Sequence, residues 1–203
     1  KAFLAQELAV ASDVHPFAPH NVANALAAAA LARAFGVPPR AVRDGLRAFV
    51  PAEHRIATVG VAAGVTFIDD SKATNAHAAL TSLMAFEPIV WVAGGMAKGQ
   101  EFDDLVVAAR DRLAGVVLLG VDRDVIAGAL ARHAPDVPVI VVETVDTGAM
   151  VEVVRQAAAL ARPGDTVLLA PGCASWDMFR DYSDRGRQFA AAAAGLPGFL
   201  GAA

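Results

Sequence analysis

From residue 56 onward, short apolar runs rich in Val, Ile and Leu alternate with longer segments whose apolar positions recur at helical spacing. The apolar runs predict strands at 65–69, 89–93, 116–120, 137–142 and 166–170, with 56–61 as an additional edge strand. The longer segments predict helices at about 76–86, 102–113, 123–133, 147–161 and 179–194. Strands of continuous β-branched residues separated by helices are typical of parallel sheets covered on both faces. The pattern therefore predicts a three-layer, Rossmann-like α/β domain with a mostly parallel sheet.

The amino-terminal part of the chain has a different pattern. An Ala-rich segment at 20–35 predicts a helix that Gly36 ends, and two prolines then lead into a second helix at 40–49. Residues 1–14 are ambiguous, and the prolines within 15–19 interrupt any regular element. Two helices are therefore predicted in this part of the chain, within 20–49.

A polar, proline-containing stretch at 51–55 (PAEHR) separates these two patterns and predicts a linker or hinge. We therefore expect two domains, at 1–50 and 51–203. The chain begins at Lys1 without a Met, in what reads like the middle of a protein. We expect it to be a carboxyl-terminal piece of a longer polypeptide.

Three of the predicted strands run directly into polar or glycine-rich loops. These loops are 70–75 (DSKATN), 94–99 (GGMAKG) and 171–177 (PGCASWD). The carboxyl ends of parallel strands meet at one edge of a sheet, which is where ligands bind in this class of fold. The three loops together are therefore the predicted functional site.

The side chains of these loops favour the binding of carboxylates. Lysine occurs in this chain only at positions 1, 72 and 98, whereas arginine is the usual cation, so Lys72 and Lys98 indicate a need for a compact ammonium. Lys98, Thr74 and Ser175 together offer a cation and two hydroxyls, which is a set suited to holding carboxylates. We interpret Ser175 as a donor rather than a nucleophile, because it has no G-x-S-x-G setting.

A purely structural interpretation stays open for part of this pattern. The loop 70–75 also fits a turn followed by a helix cap, with Thr74 or Asn75 as the capping residue. Asn21 and Asn24 lie three residues apart and share a face of the first predicted helix. From the residues alone, capping of the helix by Asn21 and contact of this face with a ligand are equally well supported.

Composition excludes several classes of function. The formal net charge is −4, with a pI near 5.7 and no run of Lys or Arg, which argues against nucleic acid as a partner. The longest apolar runs are too short to cross a bilayer, so no membrane insertion is expected. The single cysteine, Cys173, excludes an internal disulfide and favours a cytoplasmic location.

The motifs for metals and nucleotides are also missing from the sequence. The five histidines are scattered without metal-ligand spacing, so no metal site is expected. Neither a G-x-x-x-x-G-K-[ST] phosphate loop nor a G-x-G-x-x-G fingerprint occurs in the chain. The missing fingerprint counts against a dinucleotide-dependent oxidoreductase, although that class shares the layered architecture.

An ordered series of motifs resembles the Mur ligase family over about residues 20–196. The series is HNVANALAAAALA, FVPAEHR, GVTFIDDSKATN, AGGMAKGQEF and RPGDTVLLAPGCASWDMFRDYSDRGRQF. DSKATN and the CASWDMF segment resemble the D-glutamate-adding branch in particular. The resemblance implies a UDP-binding first domain, a central ATPase domain with a phosphate loop and a Rossmann-like carboxyl-terminal domain. Residues 1–50 would be the end of the central domain, which accounts for the missing phosphate loop.

The resemblance also implies a reaction. ATP would phosphorylate the alanyl carboxylate of UDP-N-acetylmuramoyl-L-alanine, and the amine of D-glutamate would attack the acyl phosphate to form an amide. The implied cofactors are ATP and Mg²⁺, with the Mg²⁺ ligands mostly outside this chain. The missing amino-terminal and central domains are the implied partners, and the chain alone is expected to be inactive.

The resemblance assigns five residues to ATP and the reacting groups. It places Asn21 and Asn24 near the adenine, Arg55 on the ATP phosphates and Asp70 on the ribose. Lys72 would lie beside the reacting groups as electrostatic support, so that Lys72 and Arg55 are the implied catalytic residues.

Four further residues are assigned to D-glutamate. Thr74 and Lys98 would bind its α-carboxylate, while Ser175 and the backbone near Tyr182 would bind its side-chain carboxylate. The chain departs from the family pattern at three positions: Met96 replaces a frequent Asp, Ala170 a frequent Ser and Tyr182 a frequent Phe. Met96 removes a charge near this site and so puts a role for an acid there in doubt.

Two alternatives share the fold. A non-catalytic module would bind an amino acid or a nucleotide without turnover. A folylpolyglutamate-type ligase would also transfer glutamate, but it would lack DSKATN and CASWDMF. Dependence on D- rather than L-glutamate separates the second alternative from the reaction above.

Overall fold

The computed structural model describes residues 7–14, 19–50, 52–144, 146 and 148–202, without the side chains of Pro19 and His20. The chain divides into two compact units, Lys1–Ala52 and Glu53–Ala203. The predicted proline break within 15–18, Pro51 of the predicted hinge and Thr147 at a predicted helix start lie outside the described residues.

The first unit is helical in its described residues. It contains a 3-10 turn at Ala11–Asp13 and two helices, α1 (Pro19–Ala34) and α2 (Pro39–Arg47). Helix α1 ends because Gly36 adopts φ +94° and the Gly36 amide donates to the Arg33 carbonyl at 3.1 Å. The prediction of two helices in this part of the chain is therefore confirmed.

The second unit consists of strands and helices in alternation. Its strands are β1 (Ala57–Ala62), β2 (Val65–Asp69), β3 (Ile89–Gly94), β4 (Leu113–Leu119), β5 (Val139–Val141), β6 (Thr166–Leu169) and β7 (Leu200–Gly201). Its helices are α3 (Ala76–Leu83), α4 (Asp103–Ala109), α5 (Arg123–His133), α6 (Ala149–Leu160) and α7 (Tyr182–Ala194). A 3-10 turn at Arg110–Arg112 follows α4. Across the described ranges, no helix has the length and apolar character needed to span a membrane.

In the described residues, one sheet contains all seven strands in the order β5-β4-β3-β6-β2-β1-β7. The five strands from β5 to β2 pair in parallel, whereas β1 pairs with β2 antiparallel. The predicted α/β fold with a mostly parallel sheet is confirmed. The strand predicted at 56–61 is not at the edge, because the short strand β7 pairs with its outer side through Gly60 and Val61.

Alternate residues of the strands pack into two separate cores, one on each face of the sheet. On one face, Trp91 and Leu168 pack with residues of α3, α4 and α5. On the other face, Val90, Val92 and Val167 pack with residues of α6 and α7. Successive side chains of a strand point to opposite faces, so a run of continuous apolar residues requires cover on both sides.

Several element boundaries differ from the predictions, and two of the differences have a clear cause in the structure. Strand β4 begins at Leu113, which pairs with Ile89, whereas the predicted helix extended to that residue. Helix α7 begins at Tyr182 rather than at 179, because Asp181 is extended and its carboxylate accepts a hydrogen bond from the Asp184 amide at 2.7 Å. Side-chain capping of this kind sets the first turn of a helix.

Candidate functional site

Three loops meet at the carboxyl edge of the sheet because their strands are neighbours. The β2 loop (70–75), the β3 loop (94–99) and the β6 loop (171–177) follow strands that lie side by side in the order β3-β6-β2. The sequence predicted that these loops share one edge, and the parallel pairing of β6 with both neighbours brings them together.

Backbone hydrogen bonds join the three loops. Met96 and Ala174 exchange two of them, at 2.9 and 3.0 Å, which ties the β3 loop to the β6 loop. The amide of Gly172 donates to the Ala73 carbonyl at 2.9 Å and ties the β6 loop to the β2 loop. A Cβ atom at Gly95 would collide with the Ala174 carbonyl oxygen, so this close approach needs glycine.

A buried arginine also joins the β2 and β6 loops. Arg185 is 1% exposed, and its guanidinium donates to the hydroxyl and the carbonyl of Ser71, both at 2.9 Å, and to the Cys173 carbonyl at 3.1 Å. Burial lowers the pKa of Arg185 to about 10, which leaves the group charged at neutral pH. Arg185 therefore connects α7 to both of these loops.

Lys72 lies beside Tyr182, the first residue of α7. Its ammonium is 3.4 Å from the Tyr182 hydroxyl oxygen and 5.1 Å from the centre of the ring. The hydrogen bond from Lys72 lowers the pKa of the Tyr182 hydroxyl. Ser71 fixes the start of the helix, because its hydroxyl donates to the Tyr182 carbonyl at 2.7 Å. The Lys72 ammonium is thus held over the edge of the sheet.

A His–Asp pair lies beneath Lys72. The Nδ1 atom of His54 is 2.6 Å from Asp69 Oδ2, and both side chains are buried. The Lys72 amide donates to the His54 carbonyl at 3.1 Å, so the pair and the lysine share one backbone contact. The other ring nitrogen of His54 is buried and has no hydrogen-bond partner in the described part of the chain.

Asp70 turns away from the loop surface and is 5% exposed. Its carboxylate accepts hydrogen bonds from the Ile56 amide at 3.2 Å and from the Ser82 hydroxyl. Burial raises the pKa of Asp70 to about 6, and the neighbouring carboxylate of Asp69 adds to this effect, against the hydrogen bonds that lower it. Adjacent aspartates thus have different surroundings, which their sequence does not distinguish.

The residues predicted to bind D-glutamate lie on the three joined loops and on α7. Thr74 is half-buried in the β2 loop, and Asn75 next to it caps α3 by accepting a hydrogen bond from the Ala78 amide at 2.8 Å. Ser175 is 2% exposed in the β6 loop, whereas Lys98 is exposed in the β3 loop. The site therefore combines the exposed Lys98 and the half-buried Lys72 with two hydroxyls on joined loops, which suits an anionic ligand.

A family model described as "Mur ligase, glutamate ligase domain" matches residues 54–173. The chain belongs to the Mur ligase family. The UDP-N-acetylmuramoylalanine--D-glutamate ligase of Streptomyces avermitilis is 65% identical over 192 residues, which cover 95% of this chain and 41% of that protein. The ligase of the same name from Thermobifida fusca is 59% identical over 194 residues, which cover 96% of this chain and 42% of that protein. The chain thus spans about two fifths of the length of these relatives.

Solved structures of other Mur ligases share the fold. MurC from Thermotoga maritima has a TM-score of 0.59 and 20% identity, covering 86% of this chain and 37% of its own. MurF from Acinetobacter baumannii has a TM-score of 0.57 and 20% identity, and the match covers 87% of this chain and 38% of MurF. At these identities the likeness shows the fold alone.

The three residues assigned to adenine and phosphates in this Mur ligase chain belong to different units. Asn21 is half-buried and Asn24 is exposed on α1 of the first unit. Arg55 is exposed at the start of the second unit. Their contact with ATP stays a prediction, as does the contact of Asp70 with the ribose.

Sequence reasoning missed the residues that position the site of this Mur ligase. The residue patterns do not single out Ser71, His54, Asp69 or Arg185 for this role. The signal was available in part, because polar side chains directly before and after a buried strand must find partners on burial. Among the described residues, no three side chains of His, Cys, Asp or Glu are grouped to hold a metal ion.

Proposed function

We propose that the protein carrying this chain is an ATP-dependent ligase that joins D-glutamate to UDP-N-acetylmuramoyl-L-alanine in peptidoglycan precursor synthesis. The support from relatives is the 65% identity to a protein named UDP-N-acetylmuramoylalanine--D-glutamate ligase. The match covers 95% of this chain. The first unit would be the end of the central ATPase domain, and the enzyme would act in the cytoplasm.

The observation that carries the proposal is that Lys98, Thr74 and Ser175 lie on three loops joined by backbone hydrogen bonds at one edge of the sheet. Lys72 and Thr74 lie on the β2 loop, and the backbone bonds between the loops connect it to the loops of Lys98 and Ser175. Glutamate carries two carboxylates at opposite ends of a short chain. A site with cations and donors on separate but joined loops can bind both ends.

We assign the α-carboxylate of D-glutamate to Lys98 and Thr74, and its side-chain carboxylate to Ser175 and the backbone near Tyr182. Charge-assisted hydrogen bonds of this kind are stronger than neutral ones. The backbone near Tyr182 is a fixed partner, because Ser71 and Arg185 hold the start of α7 against the β2 loop.

We assign Lys72 and Arg55 to the charge that develops on the phosphoryl group. Phosphoryl transfer depends mainly on positioning and on neutralisation of charge. Tyr182 keeps the Lys72 ammonium at the sheet edge, and Arg55 is exposed and so can reach a ligand. ATP would also contact Asn21, Asn24 and Asp70. Mg²⁺ would be held by residues elsewhere in the protein, and the chain alone would be inactive.

Phosphate release by the complete protein tests the proposal. We expect release only when ATP, UDP-N-acetylmuramoyl-L-alanine and D-glutamate are all present, with no release when L-glutamate replaces D-glutamate. Activity with L-glutamate and a folate substrate would instead establish a folylpolyglutamate-type ligase. Binding of D-glutamate without any phosphate release would establish a non-catalytic module. The intact mass of the sample, set beside 20.9 kDa for this chain, shows which polypeptide was assayed.

A further inference from the structure

The ammonium of Lys98 lies over the indole ring of Trp176. The Nζ atom is 3.9 Å from the centre of the ring, well within the range of about 6 Å for cation–π attraction. Trp176 is 66% exposed, although large aromatic side chains of a folded domain are normally buried. The indole of Trp176 thus contacts the cation of a candidate binding site at the surface rather than packing into either core.

The backbone on both sides of this contact is held in place. Met96 lies two residues before Lys98, and Ala174 lies two residues before Trp176. Because Met96 and Ala174 are paired by two backbone hydrogen bonds, the segments that carry Lys98 and Trp176 start side by side. The amide of Ala97, next to Lys98, donates to the Asp122 carboxylate at 2.7 Å. The Lys98–Trp176 contact is therefore a feature of the joined loops rather than of one free side chain.

The backbone of Lys98 supports the same conclusion. Lys98 adopts φ +55°, in the left-handed region that residues other than glycine seldom occupy. The following residue, Gly99, adopts φ +76°. A positive φ costs glycine little, but at a residue such as Lys98 it persists only where the surroundings enforce it. Here the backbone angles direct the lysine side chain from the β3 loop towards the β6 loop.

We propose that Trp176 is a positioning residue that holds the Lys98 ammonium ready for the carboxylate of the incoming amino acid. This inference rests on the proposed function, because it assumes that Lys98 binds a carboxylate. The indole occupies one side of the ammonium, so N–H groups on the other side can point towards a carboxylate. A lysine has a long, flexible stem, so fixing it before the ligand arrives removes an entropic cost from binding.

The first test measures the contact itself, in the complete protein with 5-fluorotryptophan incorporated. The two tryptophans of this chain are Trp176 and Trp91, which is fully buried. We expect Lys98→Met to shift the ¹⁹F resonance of Trp176 and to leave that of Trp91 unchanged. The resonances are assigned with Trp176→Phe. An unchanged Trp176 resonance in Lys98→Met would overturn the inference without affecting the proposed function.

The second test measures the effect on the substrate. We expect Trp176→Leu to raise the KM for D-glutamate about two- to fivefold, with little change in the KM for ATP. Trp176→Phe keeps an aromatic face and should restore most of the difference. Val151→Thr is the matched control, because Val151 is 64% exposed on α6 and is not part of the three loops.

The two tests separate the possible failures. If Lys98→Met shifts the Trp176 resonance but D-glutamate binds equally well to this variant and to the wild type, the contact stands and the carboxylate role of Lys98 fails. If Trp176→Leu and Trp176→Phe have the same KM for D-glutamate as the wild type, Trp176 does not position Lys98. Equal increases in the KM values for ATP and D-glutamate would show a general structural role and overturn the inference.

Discussion

Arg185 donates two hydrogen bonds to Ser71, from Nε to the hydroxyl and from Nη2 to the carbonyl, both at 2.9 Å. The third bond of the same guanidinium goes to the Cys173 carbonyl in the neighbouring loop. A planar guanidinium can make three such bonds at once, whereas an ammonium is a point charge on a flexible stem. The joined loops thus depend on one side chain contributed by α7.

We predict that Arg185→Lys lowers the free energy of unfolding by about 2 to 4 kcal/mol, because buried carbonyls lose charge-assisted partners. Urea unfolding of the complete protein measures the change. Arg187→Lys on the same helix is the matched control, since the Arg187 side chain is 54% exposed, and it should change stability by less than about 0.5 kcal/mol. Equal effects of the two variants would show that the Arg185 contacts contribute little.

Gly186 packs against the His54–Asp69 pair. A Cβ atom at Gly186 would collide with His54 Nδ1 and approach Asp69 Oδ2 to 2.6 Å. We therefore predict that Gly186→Ala destabilises the protein by about 1 to 3 kcal/mol, although alanine is the better helix former. Gly128→Ala in α5 is the control, because its nearest neighbour is the flexible end of Arg132. If both variants were stabilised alike in thermal unfolding, the close packing at Gly186 would be disproved.

Asp70 makes stability depend on pH in a direction opposite to that of most carboxylates. Its pKa is about 6 in the folded protein against an ordinary 3.8, so the folded state binds the proton more tightly than the unfolded state. The contribution of Asp70 to stability is therefore greatest below pH 3.8 and decreases as the pH rises through about 6.

We predict that the stability difference between wild type and Asp70→Asn changes by about 2 to 3 kcal/mol between pH 4 and pH 7, with the wild type relatively more stable at pH 4. Urea unfolding at a series of pH values measures it. The control is Asp111→Asn, whose side chain is 95% exposed and should leave the pH dependence unchanged. A pH-independent difference for Asp70→Asn would mean that the carboxyl titrates normally.

Lys98 provides the kinetic test of the candidate site. We predict that Lys98→Ala raises the KM for D-glutamate about tenfold or more, because a charge-assisted bond is worth about 1.5 to 3 kcal/mol, while the KM for ATP changes little. Steady-state kinetics of the complete protein with each substrate varied in turn measures the two constants. Arg110→Ala serves as the control, because it removes an exposed cationic side chain of the same unit. Similar increases in both constants would count against a carboxylate role.

Much of the fold could be predicted because its signals are local. The continuous apolar runs identified β2, β3 and β6, and the predicted helix 123–133 coincides with α5. The short strand β7 could not be predicted, because Leu200 and Gly201 form a strand only by pairing with Gly60 and Val61. A pairing between residues so far apart in the chain does not show in the hydrophobic pattern of either segment.

The chain's own sequence determined the order of strands and helices, the loops that follow the strands and the family motifs within them, since each of these depends on neighbouring residues. Only the tertiary structure decided how Asp69 and Asp70 differ, with Asp69 paired to His54 and Asp70 bonded to Ser82. It alone placed Arg185 between two loops and Lys98 over Trp176. These contacts join residues that lie far apart in the chain, and their burial and charge are set by packing that no local pattern records.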